Sequence, residues 1–278
     1  MKTYILFTAL LLFGCSEGKE TIKIKGSDTE VNLAVRLAEE FHEEDAKCIV
    51  SISGGGSGLG IASLLNGQAD IANSSRALNS AEDSLFRDRS MQLDTFVFAE
   101  DAIAFVVSVS CSLDSLTVEQ LGKILSGSYN NWKPLTGEDL PINIYGRQSN
   151  SGTHDFVKQK LKIEFSEHAK EMNGNAQIME AVKVDKSGIG YVGAGYVLGA
   201  ATSSGNMVKV LKIATPGGKA ISALDETAIL NNQYFFQRPL YQFIRKESAA
   251  KVSSFIEFEK SAEGLAIIKA SGYYPVNK

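Results

Sequence analysis

Apolar and polar positions along this chain follow two periods in turn. Runs of roughly four to eight residues, apolar at alternate or successive positions, mark strands. They fall at 21–25, 48–52, 69–72, 142–145, 188–197, 208–213 and 241–244. Between them apolar residues recur at helical spacing. Val31, Ala34, Val35, Ala38 and Phe41 form one stripe, Ile61, Leu64 and Leu65 a second, and Phe156, Val157 and Leu161 a third. Leu121, Ile124 and Leu125 follow a capping box from Thr117 to Gln120, and 175–184 reads as a further helix. Val252, Phe255 and Ile256, then Leu265, Ile267 and Ile268, close the chain as two helical halves. Strands alternating with helices predict an α/β protein with largely parallel sheets.

A longer apolar strand at 95–110 is interrupted by Glu100 and Asp101. The interruption reads as a crossing between two lobes, and the strand near Tyr241 as the return. The expected organisation is a first lobe of 21–99, a second lobe of 100–235 and a return segment, 236–278, that completes the first.

The N-terminus has its own pattern. Lys2 precedes an apolar run from Tyr4 to Phe13, too short to span a bilayer, and Gly14-Cys15 follows. This is the form of a bacterial lipoprotein export signal. It predicts a signal peptide of 1–14, acylation of Cys15, a tether of 15–20, and a protein of the periplasm or cell envelope held to a membrane by lipid.

Composition narrows the partners. A hydrophobic content of 44% with 22% charged residues suits one large or two modest globular domains. The formal net charge of -4 lacks the basic excess that nucleic acid demands, so no nucleic-acid partner is expected. Cys48 and Cys111 both stand in apolar strands and read as separate buried thiols rather than a bridge.

The candidate chemistry lies in two loops. Gly54-Gly55-Gly56-Ser57-Gly58-Leu59-Gly60 and Arg147-Gln148-Ser149-Asn150-Ser151-Gly152-Thr153 each follow a strand and lead into a helical pattern. Backbone N–H groups at a helix start, close approach at glycine, hydroxyl donors and a guanidinium fork together suit a tetrahedral oxyanion. Gly26-Ser27-Asp28-Thr29 is a third strand-to-helix turn of the same kind. No nucleophile–base pair accompanies the loops, so capture of an anion is expected rather than catalysis.

Other motifs carry less. Gly188-Ile189-Gly190-Tyr191-Val192-Gly193 has the letters of a dinucleotide fingerprint, but it follows Asp185-Lys186-Ser187 rather than a buried strand and reads as a glycine-rich strand. Ser57 and Ser151 stand outside G-x-S-x-G. His42, His154 and His168 form no triad or metal pattern, and His154 reads as an exposed helix residue. No cofactor or metal is called for. Trp132 and Phe235-Phe236 read as packing residues.

The loops, with Lys25–Thr29, Asp70–Arg76, Asn130-Asn131-Trp132, Gly188–Gly193 and Arg238-Pro239-Leu240-Tyr241, stand in the order and spacing of one family. Along nearly all of the mature chain the sequence resembles the phosphate-binding components of bacterial phosphate ABC transporters. The resemblance implies a two-lobed, type II periplasmic-binding-protein fold that closes on one inorganic phosphate and delivers it to the permease, as a monomer without catalytic activity. Carried over by position, Thr29 and the N–H of Glu30, Ser57 and Ser75 would bind from one lobe, and Arg147, Ser151, Gly152 and Thr153 from the other.

Two positions depart from the family pattern. Relatives often carry an Asp where this chain has Ser75, to accept the proton of phosphate, and an acid where it has Ser149, to orient the arginine. Asp28 and Glu30 are candidates for the missing acid. The alternatives are the same fold tuned to sulfate, molybdate or tungstate, a phosphate-ester hydrolase, and an envelope adhesion or sensor protein.

Overall fold

β1 (Glu20–Gly26) buries Ile22 and Ile24, as its alternation requires, and is followed by α1 (Val31–Glu44). It is seen in a computed structural model that describes residues 20–201 and 207–276; the signal segment, Cys15 and the rest of the tether before Glu20 lie outside the described residues. β2 (Cys48–Ser53), α2 (Ser57–Leu65), β3 (Ile71–Ser74) and α3 (Ser80–Asp88) come next. β4 (Leu93–Ser108) then carries the chain into a second body of structure.

That second body contains β5 (Ser115–Thr117), α4 (Val118–Leu125), α5 (Lys133–Thr136), β6 (Asn143–Arg147) and α6 (Gly152–Leu161). It continues through β7 (Lys170–Met172), α7 (Asn175–Val184), β8 (Gly188–Gly193) and α8 (Ala194–Ala201) to β9 (Val208–Ala214), β10 (Ala220–Ile221) and α9 (Glu226–Leu230). β11 (Gln237–Arg245) returns, and α10 (Ala249–Glu259), α11 (Ala262–Ala270) and β12 (Tyr274–Pro275) finish the first body.

The strands run in the order β2-β1-β3-β11-β4-β8-β6-β7, with β4 shared by both lobes. The sheets are mixed rather than largely parallel. β1 is parallel to β2 and β3, and β6 to β7 and β8, whereas β11 is antiparallel to β3 and β4, and β4 is antiparallel to β8 and β9. The cause is the pair of crossings: one chain segment goes out between the lobes and another comes back beside it.

Two cores follow from this layout. Ile22, Ile24, Leu33, Leu37, Phe41, Phe255 and Phe258 pack in the first lobe, with Ile61, Leu64, Phe86 and Phe243 as a satellite. Phe105, Val106, Trp132, Val157, Ile178, Tyr191 and Phe236 pack in the second. Trp132 is a packing residue, its indole N–H donating to the Ser187 carbonyl at 3.0 Å.

Three details correct the sequence reading. The buried stripe of α1 is Leu33, Ala34, Leu37 and Phe41; Val31, Val35 and Ala38 are only half-buried, because Phe41 turns its face of the helix onto Phe255 and Phe258. β4 runs unbroken through Glu100 and Asp101, because Arg238 on β11 stands opposite Asp101 in register and pairs its buried charge. The strand expected at 188–197 ends at Gly193, and its last residues begin α8. Cys48 and Cys111 are both free thiols.

Candidate functional site

Three helix starts face one another. α1 and α2 begin at the ends of β1 and β2 in the first lobe, and α6 begins at the end of β6 in the second. Gly56 precedes α2 with φ 96°, a left-handed conformation that favours glycine. Ser151 caps α6 and accepts the Thr153 N–H at 3.2 Å. At Gly152 a side chain has no room, since a Cβ there would lie 2.3 Å from the Ser57 hydroxyl and 2.7 Å from that of Ser75. The loop of the second lobe thus presses its backbone directly onto the hydroxyls of the first.

The predicted residues come together here. Thr29 and Thr153 meet hydroxyl to hydroxyl across the lobes at 3.0 Å. Ser57 and Ser75 lie 3.4 Å apart, and the Ser57 oxygen accepts the Ser75 N–H at 3.1 Å. Thr29, Ser57, Ser75, Arg147, Ser151 and Thr153 are all buried. Around them the lobes touch again, with Gly58 N–H donating to the Asn150 carbonyl at 3.0 Å and the Asn150 amide to the Gly55 carbonyl at 3.1 Å.

Arg147 is the cation of the site. Its backbone N–H donates to the Tyr191 hydroxyl at 3.1 Å, and its Nη2 makes a short ion pair with Asp28 Oδ2 from the opposite lobe. Asp28 Oδ1 accepts the Gly55 N–H at 2.7 Å, so both carboxylate oxygens are held. The side chain of Arg147 is 1% exposed, yet its Nε and Nη1 have no protein acceptor. Burial draws its pKa down and Asp28 opposes that shift; an arginine remains charged under either influence. With Nη2 fixed by Asp28, the buried guanidinium keeps charged donors on Nε and Nη1 for an oxyanion.

Glu30 behaves differently from the other predicted residues. Its N–H donates to the Ser27 carbonyl at 3.3 Å, and its carboxyl is fully buried with no hydrogen-bond partner. Ser27 lies near enough to favour the ionised form, but no hydrogen bond of good geometry joins them. Burial dominates and pushes the Glu30 carboxyl well above the usual carboxylate range, toward its neutral form. Of the two candidate acids, Asp28 is the one that meets the arginine.

Sequence reasoning gave no role to Arg238. This residue is 1% exposed; its Nε and Nη2 bind Asp101 Oδ2 at 3.1 and 2.9 Å, its Nη2 also reaches Thr29 Oγ1 at 3.1 Å, and its Nη1 reaches the Ser75 carbonyl at 3.3 Å. Tyr273 donates its hydroxyl to the Thr29 carbonyl. The available signal was an arginine inside an apolar strand and an unexplained acid inside another.

These contacts set the polarity of the cradle. Thr29 Oγ1 accepts from Arg238, Ser75 Oγ accepts from Ser27 at 3.0 Å, and Ser57 Oγ accepts from the Ser75 backbone. Each of these hydroxyls thus has an acceptor position filled from the protein side, which biases its proton toward other partners; within the Thr29–Thr153 and Ser57–Ser75 pairs one hydroxyl donates to the other. His154 is half-buried rather than exposed: its ring packs edge-on to Phe165 at 4.5 Å, and it makes no hydrogen bond to Ser57 or Ser151.

Comparison with known proteins identifies the family. Residues 15–263 match the family described as the PBP superfamily domain. The phosphate-binding protein PstS of Staphylococcus aureus (strain USA300) is 27% identical over 286 residues, covering 98% of this chain and 86% of that protein. The protein of the same name from Borreliella burgdorferi is 27% identical over 280 residues, covering 96% and 95%. A phosphate ABC transporter substrate-binding protein from Clostridium perfringens, solved with bound phosphate, superposes with a TM-score of 0.81 at 25% identity, covering 92% of this chain and 100% of that one. An ABC-type phosphate transport receptor from Vibrio cholerae gives 0.71 at 26% identity, with the same coverage.

Proposed function

The chain belongs to the PBP superfamily, and from that membership we propose that it captures inorganic phosphate outside the cytoplasm and hands it to the permease of an ABC importer, without catalysing a reaction. The observation that carries this reading is the pair of unpartnered donors on buried Arg147, a residue at the end of β6 just before the start of α6, where hydroxyls of both lobes meet. Thr29, Ser57 and Ser75 supply hydroxyls from the first lobe, and Ser151, Gly152 and Thr153 supply the start of α6 from the second. Glu30 contributes through its backbone alone. Lobe limits of 21–99 with 236–278, and 100–235, are supported by the separate hydrophobic cores on either side of β4 and β11.

Attachment by lipid at Cys15, supported by the lipoprotein-like sequence at the N-terminus, and a monomeric state complete the reading. Among the described residues no helix is long and apolar enough to cross a membrane. A second reading, another oxyanion such as sulfate, is favoured by one observation: Ser75, already accepting from Ser27, offers the ligand a donor and carries no charge.

Isothermal titration of the mature domain with phosphate and with sulfate tests both readings. Phosphate binding at micromolar concentration or tighter is expected. Arg147→Ala should weaken it by at least about 2 kcal/mol, because a buried anion would lose the charged donors on Nε and Nη1, and Arg147→Lys should recover part of that loss. Equal affinity for phosphate in wild type and Arg147→Ala would remove the site.

A further inference from the structure

Arg76 lies two residues past the end of β3 in the first lobe, next to Ser75, and Asp155 lies in the first turn of α6 in the second. Their side chains meet across the lobes, Nε to Oδ2, at 3.0 Å, as an ion pair without hydrogen-bond alignment. We propose that this pair is a latch that holds the lobes closed over the anion and sets how slowly it leaves. The proposal rests on the phosphate-capture reading above.

The arginine is fixed before it reaches across. Its Nη1 and Nη2 grip Glu82 at 2.7 Å each, and Nη1 also donates to the Ala77 carbonyl at 2.9 Å. Glu82 is itself tied to the start of α3, where it accepts the Asn79 N–H at 2.9 Å. A guanidinium held on one side by a bidentate carboxylate loses little further freedom when its remaining edge finds a partner, so more of the attraction survives as closure energy. The pair is shielded as well: the side chains of Arg76 and Asp155 are 10% and 30% exposed. By contrast the Lys269–Glu226 pair, which also joins the two lobes, is 67% and 53% exposed and open to screening.

Position gives the pair its leverage. Asp155 rides on the helix whose first residues, Gly152 and Thr153, press on Ser57 and Thr29. Drawing Asp155 toward Arg76 therefore draws the anion-facing end of α6 onto the first lobe. Neither residue belongs to the cradle, so both act on lobe position rather than on the anion. Rotation at the crossings, where β4 and β11 run side by side, separates them.

The test is the release of radiolabelled phosphate from the mature protein, chased with unlabelled phosphate, alongside equilibrium dialysis. Asp155→Asn should speed release about threefold to tenfold while the association rate stays within about twofold of wild type. Arg76→Gln should speed release in the wild-type background and add little once Asp155 is already Asn, because the two substitutions remove one interaction. Release unchanged in Asp155→Asn, or effects that multiply in the double variant, would overturn the latch while leaving the capture site standing. Wild-type protein that binds no phosphate would overturn both. Small-angle scattering of the ligand-free chain gives an independent reading, in which Asp155→Asn should shift the average toward a more open form, and an unchanged profile would count against the latch.

Discussion

Replacing Asp28 by Asn should shift anion preference toward sulfate, and the size of the shift can be worked from the charges in the cleft. Arg147 is paired with Asp28 and Arg238 with Asp101, so each of the two buried cations of the site is balanced by one carboxylate. A site balanced in this way favours the lower-charged of two otherwise similar anions. Phosphate near neutral pH is partly a monoanion, whereas sulfate is always a dianion. Asn at 28 keeps a single acceptor oxygen, which can face Arg147 or the Gly55 N–H but not both, and the site gains one unit of positive charge. An anion on the free edge of Arg147 would lie roughly 7 Å from the Asp28 carboxylate, where one further unit of ligand charge is worth about 2 kcal/mol at an effective dielectric constant near 20. Asp28 is partly exposed, at 18%, which reduces the expected net gain to about 1 kcal/mol, or about fivefold in the sulfate-to-phosphate affinity ratio.

The ratio is the informative quantity. Looser orientation of Arg147 in the variant weakens both anions alike and cancels between them. Titration calorimetry with each anion at low ionic strength, at a pH below and a pH above the second ionisation of phosphate, reads it directly. Wild-type affinity for phosphate should fall as pH rises and the dianion takes over, and this slope should flatten in Asp28→Asn. A ratio that stays the same within error, with the pH slope intact, would refute the charge-balance reasoning and return the choice of anion to hydrogen-bond geometry.

Two further outcomes follow. Glu259 is buried and accepts from Gln242 at 3.0 Å, and burial pushes its carboxyl up to about 8; it is protonated in the folded chain across the window from 4.5 to about 8 in which the unfolded chain would release the proton. That contribution to stability is therefore fully present below about 4.5 and is lost as pH rises through about 8. The urea midpoint of wild type should fall between pH 5 and pH 8, and Glu259→Gln should flatten that fall; parallel midpoint curves would show that Glu259 does not titrate as stated. At the N-terminus, Cys15→Ala should release the protein from membranes, and intact mass of the natural product should show acyl chains, with an unmodified N-terminus counting against the anchor.

The cradle was legible in the sequence because its parts are local. Glycines, hydroxyls and an arginine stand within a few residues of one another, and each loop's geometry follows from its own strand-to-helix turn. The sequence narrowed the acid that meets Arg147 to Asp28 or Glu30 but could not choose between them, since Asp28 lies 119 residues away and reaches the arginine only when two lobes meet. Family pattern sought an orienting acid beside the arginine, where this chain has Ser149; the acid comes instead from the facing lobe. Helical spacing likewise could not choose the stripe of α1. Val31, Val35 and Ala38 share Ala34 and Phe41 with the alternative set of Leu33 and Leu37, and only the Phe255 and Phe258 rings decide between them.

The hinge residues were illegible for a related reason, and they carry the larger consequence. Alternating strands and helices predict parallel pairing, but the outgoing and returning crossings must lie antiparallel, and their register sets Arg238 against Asp101. Arg238 in turn occupies an acceptor position of Thr29 and binds the carbonyl of Ser75. The residue that pairs the charge buried at the crossing is thus the one that orients two groups of the cradle. A rotation at the crossings that disturbed the Arg238–Asp101 pair would also disturb the hydroxyl facing the anion. Opening of the lobes and loss of donor alignment are in this way one event, so the anion would lose its hydrogen bonds while the lobes part.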